Sequence, residues 1–158
     1  GVKALARVSR TPGRTQALNF FRLDEKASGL SLILVDMPGY GFAKASKTKA
    51  RHWSGLIENY LKGRPSLRRL FLLIDARRGL TPADRRFLSF LKEAAVSTQV
   101  VLTKADKLKK GAAERLAQGM ARDLKQYVVT HPEILTTSAV SGEGIEELRL
   151  ALRELAGI

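Results

Sequence analysis

Cysteine is absent from the 158 residues, which removes disulfide frameworks, thiol catalysis and cysteine-ligated metal sites together. The two histidines, His52 and His131, stand too far apart in sequence to suggest a metal pair, and each reads as structural or surface. No Ser/His/Asp arrangement is supported by spacing. The neighbouring carboxylates Glu146 and Glu147 fall in the first turn of an expected helix, where the helix dipole favours them, rather than in a catalytic pair. No apolar run approaches the roughly 18 residues of a membrane helix, and the segment Gly1 to Arg7 lacks the long apolar centre of a signal peptide. The expectation is a soluble, cytoplasmic chain with no membrane partner. Acidic residues are scarce: 15 Asp and Glu face 28 Lys and Arg, a formal charge of +13, so the chain carries a field that attracts polyanions. What is present is ordinary for a globular domain. Hydrophobic residues make up 44% and charged residues 27%, which supplies a core, excludes a disordered basic tail and, at this length, fits one domain.

Apolar, β-branched runs bounded by turn residues recur at Thr15 to Leu23, Leu30 to Asp36, Leu70 to Asp75, Gln99 to Thr103 and Ile134 to Ser138, and each reads as a strand. The runs Leu32 to Val35 and Leu70 to Ile74 are continuously apolar, as suits strands buried on both faces of a parallel sheet. Helical stretches lie between them. Trp53, Leu56, Ile57, Tyr60 and Leu61 form one apolar stripe. Thr81 caps a second helix with Pro82 at its first position and Asp84 in its first turn, and Phe87, Leu88 and Leu91 share one face. A third helix runs from about Ala112 to Val128, with Gly119 a weak spot, since glycine costs about 1 kcal/mol against alanine inside a helix. The last, about Ile145 to Leu155, follows a Ser141-Gly142-Glu143-Gly144 turn. Strands alternating with helices predict an α/β layered fold.

Four short segments sit where strands end, the place where open α/β sheets bind ligands. Asp36-Met37-Pro38-Gly39 follows a buried strand. An aspartate there is costly to desolvate without a cation, and a nearby glycine lets backbone N–H approach an anion, so the pattern suits a Mg²⁺-phosphate site; it equally suits a strand-ending turn. Upstream, Thr11-Pro12-Gly13-Arg14-Thr15-Gln16 offers a hydroxyl oxygen for a hard cation and amides for phosphate, though taken alone it is an ordinary Pro-Gly turn. Thr103-Lys104-Ala105-Asp106 presents a carboxylate that accepts two parallel hydrogen bonds from guanine, which adenine does not supply, while the Lys104 stem lies over a base. Ser138-Ala139 offers a backbone N–H to the guanine carbonyl and by itself carries no information.

In this order the segments resemble the second to fifth sequence motifs of a translation-factor-class small GTPase. Thr11 to Gln16 followed by Asn19-Phe20-Phe21, then Val35 to Phe42, then Leu102 to Leu108, look like the EngB (YihA/YsxC) family of bacterial GTPases over essentially the whole chain. Threonine at Thr103, in place of the usual asparagine, is itself typical of that family. The resemblance implies a P-loop-NTPase-like three-layer fold with a mostly parallel sheet. It implies a monomeric, cytoplasmic protein that binds GTP and GDP with Mg²⁺, acts with rRNA in assembly of the large ribosomal subunit and is required for normal cell division. It also implies nucleotide contacts from Gly13, Arg14, Thr15, Gln16 and Ala17, from Asp36, Met37, Pro38 and Gly39, from Thr103, Lys104, Ala105 and Asp106, and from Thr137, Ser138 and Ala139. Thr15 would ligand the Mg²⁺ and Asp36 hold it through water. Gly39 would face the γ-phosphate, Lys104 and Asp106 read the base, and residues from about Tyr40 to Thr48 form the second switch.

A Gly-x-x-x-x-Gly-Lys-Ser/Thr loop occurs nowhere in this sequence. In the family it precedes the Thr11 to Thr15 segment, and Gly142-Glu143-Gly144 lacks the lysine and hydroxyl of a permuted copy. The expectation is therefore a G domain over residues 1–158 without an N-terminal strand, loop and helix, on the order of 30 residues for such a unit. It includes a gap between the strands ending at Asp36 and Asp75, and poor GTP binding with negligible hydrolysis by these residues. Tyr40 stands where Ras-type enzymes place a water-orienting glutamine, so slow hydrolysis dependent on the ribosome or on a bound monovalent cation is expected even of an intact protein. Basic residues spread over Lys44, Lys47, Lys49 and Arg51, then Lys62, Arg64, Arg68 and Arg69, then Arg77 and Arg78, then Lys104, Lys107, Lys109 and Lys110. Most such side chains are solvated; the run in the second switch is the expected rRNA-contacting surface. The alternative is a non-catalytic basic RNA- or ribosome-binding module that keeps the fold without a phosphate loop.

Overall fold

The computed structural model describes residues 18–24, 31–40 and 47–157, with backbone alone for 47–54. The expected contacts at Gly13, Arg14, Thr15, Gln16 and Ala17, the loop 41–46, and the side chains of Lys44, Lys47, Lys49, Arg51, His52 and Trp53 lie outside the described residues. Two sheets form. Strand β1 (Asn19–Asp24) pairs antiparallel with β2 (Ser31–Asp36), placing Asn19 opposite Asp36. Strands β3 (Leu70–Asp75), β4 (Thr98–Thr103) and β5 (Leu135–Thr136) make a separate parallel sheet in that order. The helices are α1 (Lys47–Lys62), α2 (Pro82–Glu93), α3 (Ala112–Leu124) and α4 (Ile145–Ala156).

The parallel sheet sits between helical layers. Leu70, Leu72 and Ile74 of β3 and Val100 and Leu102 of β4 pack with Ile57 and Leu61 of α1, Leu88 and Leu91 of α2, and Met120 and Leu124 of α3. The opposite face, through Val101 and Leu135, meets Ala151 and Leu148 of α4. Burying each such Leu or Ile side chain stabilises by about 1.5–3 kcal/mol. Helix α2 starts as its sequence requires: the Thr81 hydroxyl accepts from the Asp84 N–H, Asp84 accepts from the Thr81 N–H at 2.7 Å, and Pro82 follows the cap. Helix α4 starts at Gly144, which has φ +69°; a Cβ there would lie 1.8 Å from the Thr136 carbonyl oxygen.

Several expected boundaries are corrected. The third helix stops at Leu124 rather than Val128, because the Thr130 hydroxyl donates to the Leu124 and Tyr127 carbonyls and Tyr127 turns into the core. The last strand keeps only Leu135–Thr136. Beyond it the Thr137 N–H and hydroxyl both donate to Leu102 O, and the Ser138 N–H turns to Glu143 O. The strand expected over Leu30 to Asp36, apolar enough for burial on both faces of a parallel sheet, instead pairs antiparallel, with Ile33 51% exposed. Leu73 of β3 is 62% exposed. Both strands border a cleft of about 600 Å³ that separates β2 from β3, also lined by Leu148 and Leu152. It lies where the sequence reading expects a gap.

Candidate functional site

The carboxyl ends of β3, β4 and β5 are stitched together. The Ala76 N–H donates to Thr103 O at 2.9 Å, the Thr103 hydroxyl to Ile74 O at 3.3 Å, and the Ala105 N–H to Thr137 O at 3.1 Å. These bonds build a shelf that brings Thr103, Lys104, Ala105, Asp106, Thr137, Ser138 and Ala139 together. At its centre the Ser138 hydroxyl donates to Asp106 Oδ1 at 2.7 Å, and Ser138 Oγ in turn accepts the Val140 and Ser141 N–H groups. With those two donors occupying the Ser138 lone pairs, its proton has one direction left, onto Asp106. That bond, with Lys107 3.2 Å away, holds the Asp106 carboxyl below its usual range. An ionised carboxylate with lone pairs still free is a bidentate acceptor for two adjacent N–H donors. Among the described residues the exposed Ala139 amide makes no hydrogen bond, so it is a donor available to a ligand carbonyl.

Lys104 adopts a left-handed conformation, φ 61° and ψ 38°, at the end of β4. Its ammonium lies 2.9 Å from Asp75 Oδ2. Arg77 grips the same carboxylate through Nε at 2.9 Å, Nη2 at 2.6 Å and its backbone N–H at 3.0 Å. Arg77 first and Lys104 second hold the Asp75 carboxyl well below its usual range. The sequence reading missed Asp75 and Arg77 as site residues. The signal was there, since Asp75 ends an apolar run in the sequence just as Asp36 does.

The other end of the site is built differently. Asp36 is exposed, and among the described residues it accepts a hydrogen bond from Asn19 Nδ2 at 3.4 Å. Met37 packs against the core, Pro38 is buried and Gly39 is exposed. Tyr40 then turns onto α2, its ring stacked on Phe87 at 4.3 Å between centroids and its hydroxyl donating to Asp84 Oδ1 at 2.5 Å. Burial, then the Asp84 bond and charge, push the Tyr40 phenol well above its usual range. The sequence placed Asp84 only in the first turn of α2; its bond to Tyr40 carried no sequence signal. Among the described residues no group of three metal-ligating side chains occurs. A single exposed carboxylate nonetheless fits a hard cation that keeps most of its water, as Mg²⁺ does.

Residues 2–104 match the family described as 50S ribosome-binding GTPase, and residues 59–156 match the elongation factor Tu GTP binding domain. The chain is 50% identical to the probable GTP-binding protein EngB of Rhodospirillum rubrum, over 99% of this chain and 68% of that relative. It is 48% identical to the protein of the same description from Rhizobium meliloti, over 99% of this chain and 73% of that one. Among solved structures, the bacterial selenocysteine-specific elongation factor EF-Sec is similar with a TM-score of 0.64 at 26% identity, covering 87% of this chain and 22% of that chain. A probable GTP-binding protein engB shares the fold with a TM-score of 0.64 at 22% identity, covering 87% of this chain and 83% of that one.

Proposed function

The chain belongs to the EngB family of GTP-binding proteins, and we propose that its strand-end shelf reads the guanine base of GTP and GDP. The observation that carries this reading is the Asp106 carboxylate just beyond β4, oriented by the Ser138 hydroxyl at 2.7 Å and held below its usual pKa range. Asp106 accepts the ring N–H and exocyclic amine of guanine, Ala139 N–H meets the guanine carbonyl, and the Lys104 stem lies over the ring. Adenine presents neither donor pair nor carbonyl, and a polar site left unpaired discriminates strongly. Thr15 and Asp36 would hold Mg²⁺, Asp36 through water, and Gly13, Arg14, Gln16, Ala17 and Gly39 would contact the phosphates, where the ion would supply charge neutralisation. Tyr40, committed to Asp84, does not orient a water, so hydrolysis depends on a partner or a bound monovalent cation.

The partner is the large ribosomal subunit through its rRNA, and the role is in subunit assembly and cell division in the cytoplasm, with the protein acting as a monomer. The charge of +13 supports a polyanionic partner. The test uses ligands that need no phosphate cradle. GMP, IMP and AMP at millimolar concentration are titrated into the ¹⁵N-labelled chain. GMP is expected to shift the amides of Lys104, Asp106, Ser138 and Ala139 most, IMP less and AMP least; equal shifts for GMP and AMP overturn the reading. The same charge favours a second reading, a non-catalytic basic RNA- or ribosome-binding module, which predicts RNA binding with no base-selective shifts at these amides.

A further inference from the structure

Gly119 lies inside α3, flanked by full helical turns on both sides. A glycine there weakens a helix unless packing requires it, yet a Cβ at Gly119 would meet nothing within 4 Å. The bare backbone opens instead into a cleft of about 550 Å³ between α2 and α3. Leu116 and Met120 form its floor, and Arg85, Arg115 and Arg122 line its rim. Arg115 precedes Gly119 by one helical turn and Arg122 follows it by three residues, so both flank the gap on one helix face. Asp123 is the carboxylate in the cleft and is engaged by Arg85 at 2.8 Å. Arg115 and Arg122 form no ion pair and donate no side-chain hydrogen bond among the described residues.

We propose that this cleft seats the phosphodiester backbone of RNA, at a place distinct from the nucleotide shelf. Planar guanidiniums fit phosphate oxygens in a fork, and an apolar floor beside them accepts a ribose or a base face. The missing Cβ at Gly119 lets the strand approach the helix backbone between the two free arginines. The inference rests on the reading that the partner is RNA, and the experiment separates the two. Anisotropy of a fluorescein-labelled 20-nucleotide oligouridine is followed across a KCl series for the wild-type chain and three variants. Gly119→Leu replaces a poor helix former with a good one, so it keeps or raises Tm while filling the cleft; a loss of at least about tenfold in affinity is expected. Arg115→Gln with Arg122→Gln is expected to lower the slope of log K against log salt by about 1.4, at about 0.7 per phosphate contact on a single strand. Lys109→Gln with Lys110→Gln removes the same charge elsewhere and is expected to cost less than half as much.

No binding by wild type overturns both the RNA reading and the site. Wild-type binding that Gly119→Leu leaves unchanged, or equal losses from the two double variants, overturns the site alone. Displacement of the RNA by millimolar inorganic phosphate reduces the site to one for free anions. Binding of an acidic 20-residue polyglutamate that Gly119→Leu abolishes assigns the cleft to a protein instead, which also overturns the proposal.

Discussion

The two ends of the candidate site differ in how they are held. At the proposed base-reading end Thr103 to Asp106 follow β4, buried up to Leu102, Thr137 to Ala139 follow β5, and the loops are stitched by backbone bonds, by Ser138 and by Thr137. At the proposed phosphate end Asp36 closes a two-stranded pair and Gly39 follows it, both exposed, and Tyr40 is bonded to Asp84 of α2. On the proposed reading, the difference separates selectivity from capture. Reading a base needs a rigid acceptor at fixed angles, whereas holding a metal and a phosphate that come and go suits elements that rearrange around them.

The sharpest break of the comparison is at Gly144. Alanine there places a Cβ against the Thr136 carbonyl at positive φ, so Gly144→Ala is expected to cost about 3 kcal/mol or more in urea unfolding and to loosen the base-reading shelf first. Next comes Asp106→Ala, which removes the charged acceptor and is expected to lower GMP affinity by roughly 100-fold, about 2–3 kcal/mol, while the fold persists. Titrated amide shifts check it, and retained GMP selectivity would contradict the assignment.

At the phosphate end, Tyr40→Phe strips a hydroxyl from the buried Asp84 and is expected to destabilise by about 1–2 kcal/mol. The Tyr40 phenol titrates above its ordinary value of about 10 when folded. Its contribution is therefore complete below that pH and is lost as pH rises past it. Thermal melts between pH 9 and pH 11 should fall more steeply for wild type than for the variant. The smallest effect is expected of Asp75→Asn. The folded carboxyl titrates below its ordinary range, so its contribution is present at neutral pH and fades as acid takes the chain below about pH 4. The pair with Lys104 is largely open to solvent on the lysine side, so less than about 1 kcal/mol is expected. Acid titration followed by circular dichroism measures it.

Much of this was legible in the sequence where local chemistry decides the outcome. Thr81, Pro82 and Asp84 form a cap from side chains a few residues apart, and β3 runs Leu70–Asp75 as its apolar run requires. The strand-end positions of Asp106 and Ser138 followed from the same alternation. What local pattern did not carry was pairing across distance. Asp75 meets Lys104 only because β3 and β4 align in parallel register, Asp75 beside Thr103. Tyr40 meets Asp84 only once α2 has docked. The apolar run of β2 fits a buried strand, but its exposure depends on what lies beside it, which no window of sequence contains.

The cleft beside β3 bears on how the molecule behaves in a crowd of its own kind. Among the described residues β3 is an edge strand, and it presents Leu73 to that cleft. An open, apolar strand edge is a template for joining another chain, and natural proteins guard such edges with charge. Here the guard is global: +13 on a small body keeps copies apart at low ionic strength, and salt shortens its reach to about 10 Å at 0.1 M. The same ions that loosen the hold on a polyanion thus remove the colloidal barrier between neighbouring copies, so the charge serves as attraction to one kind of surface and as spacing from another.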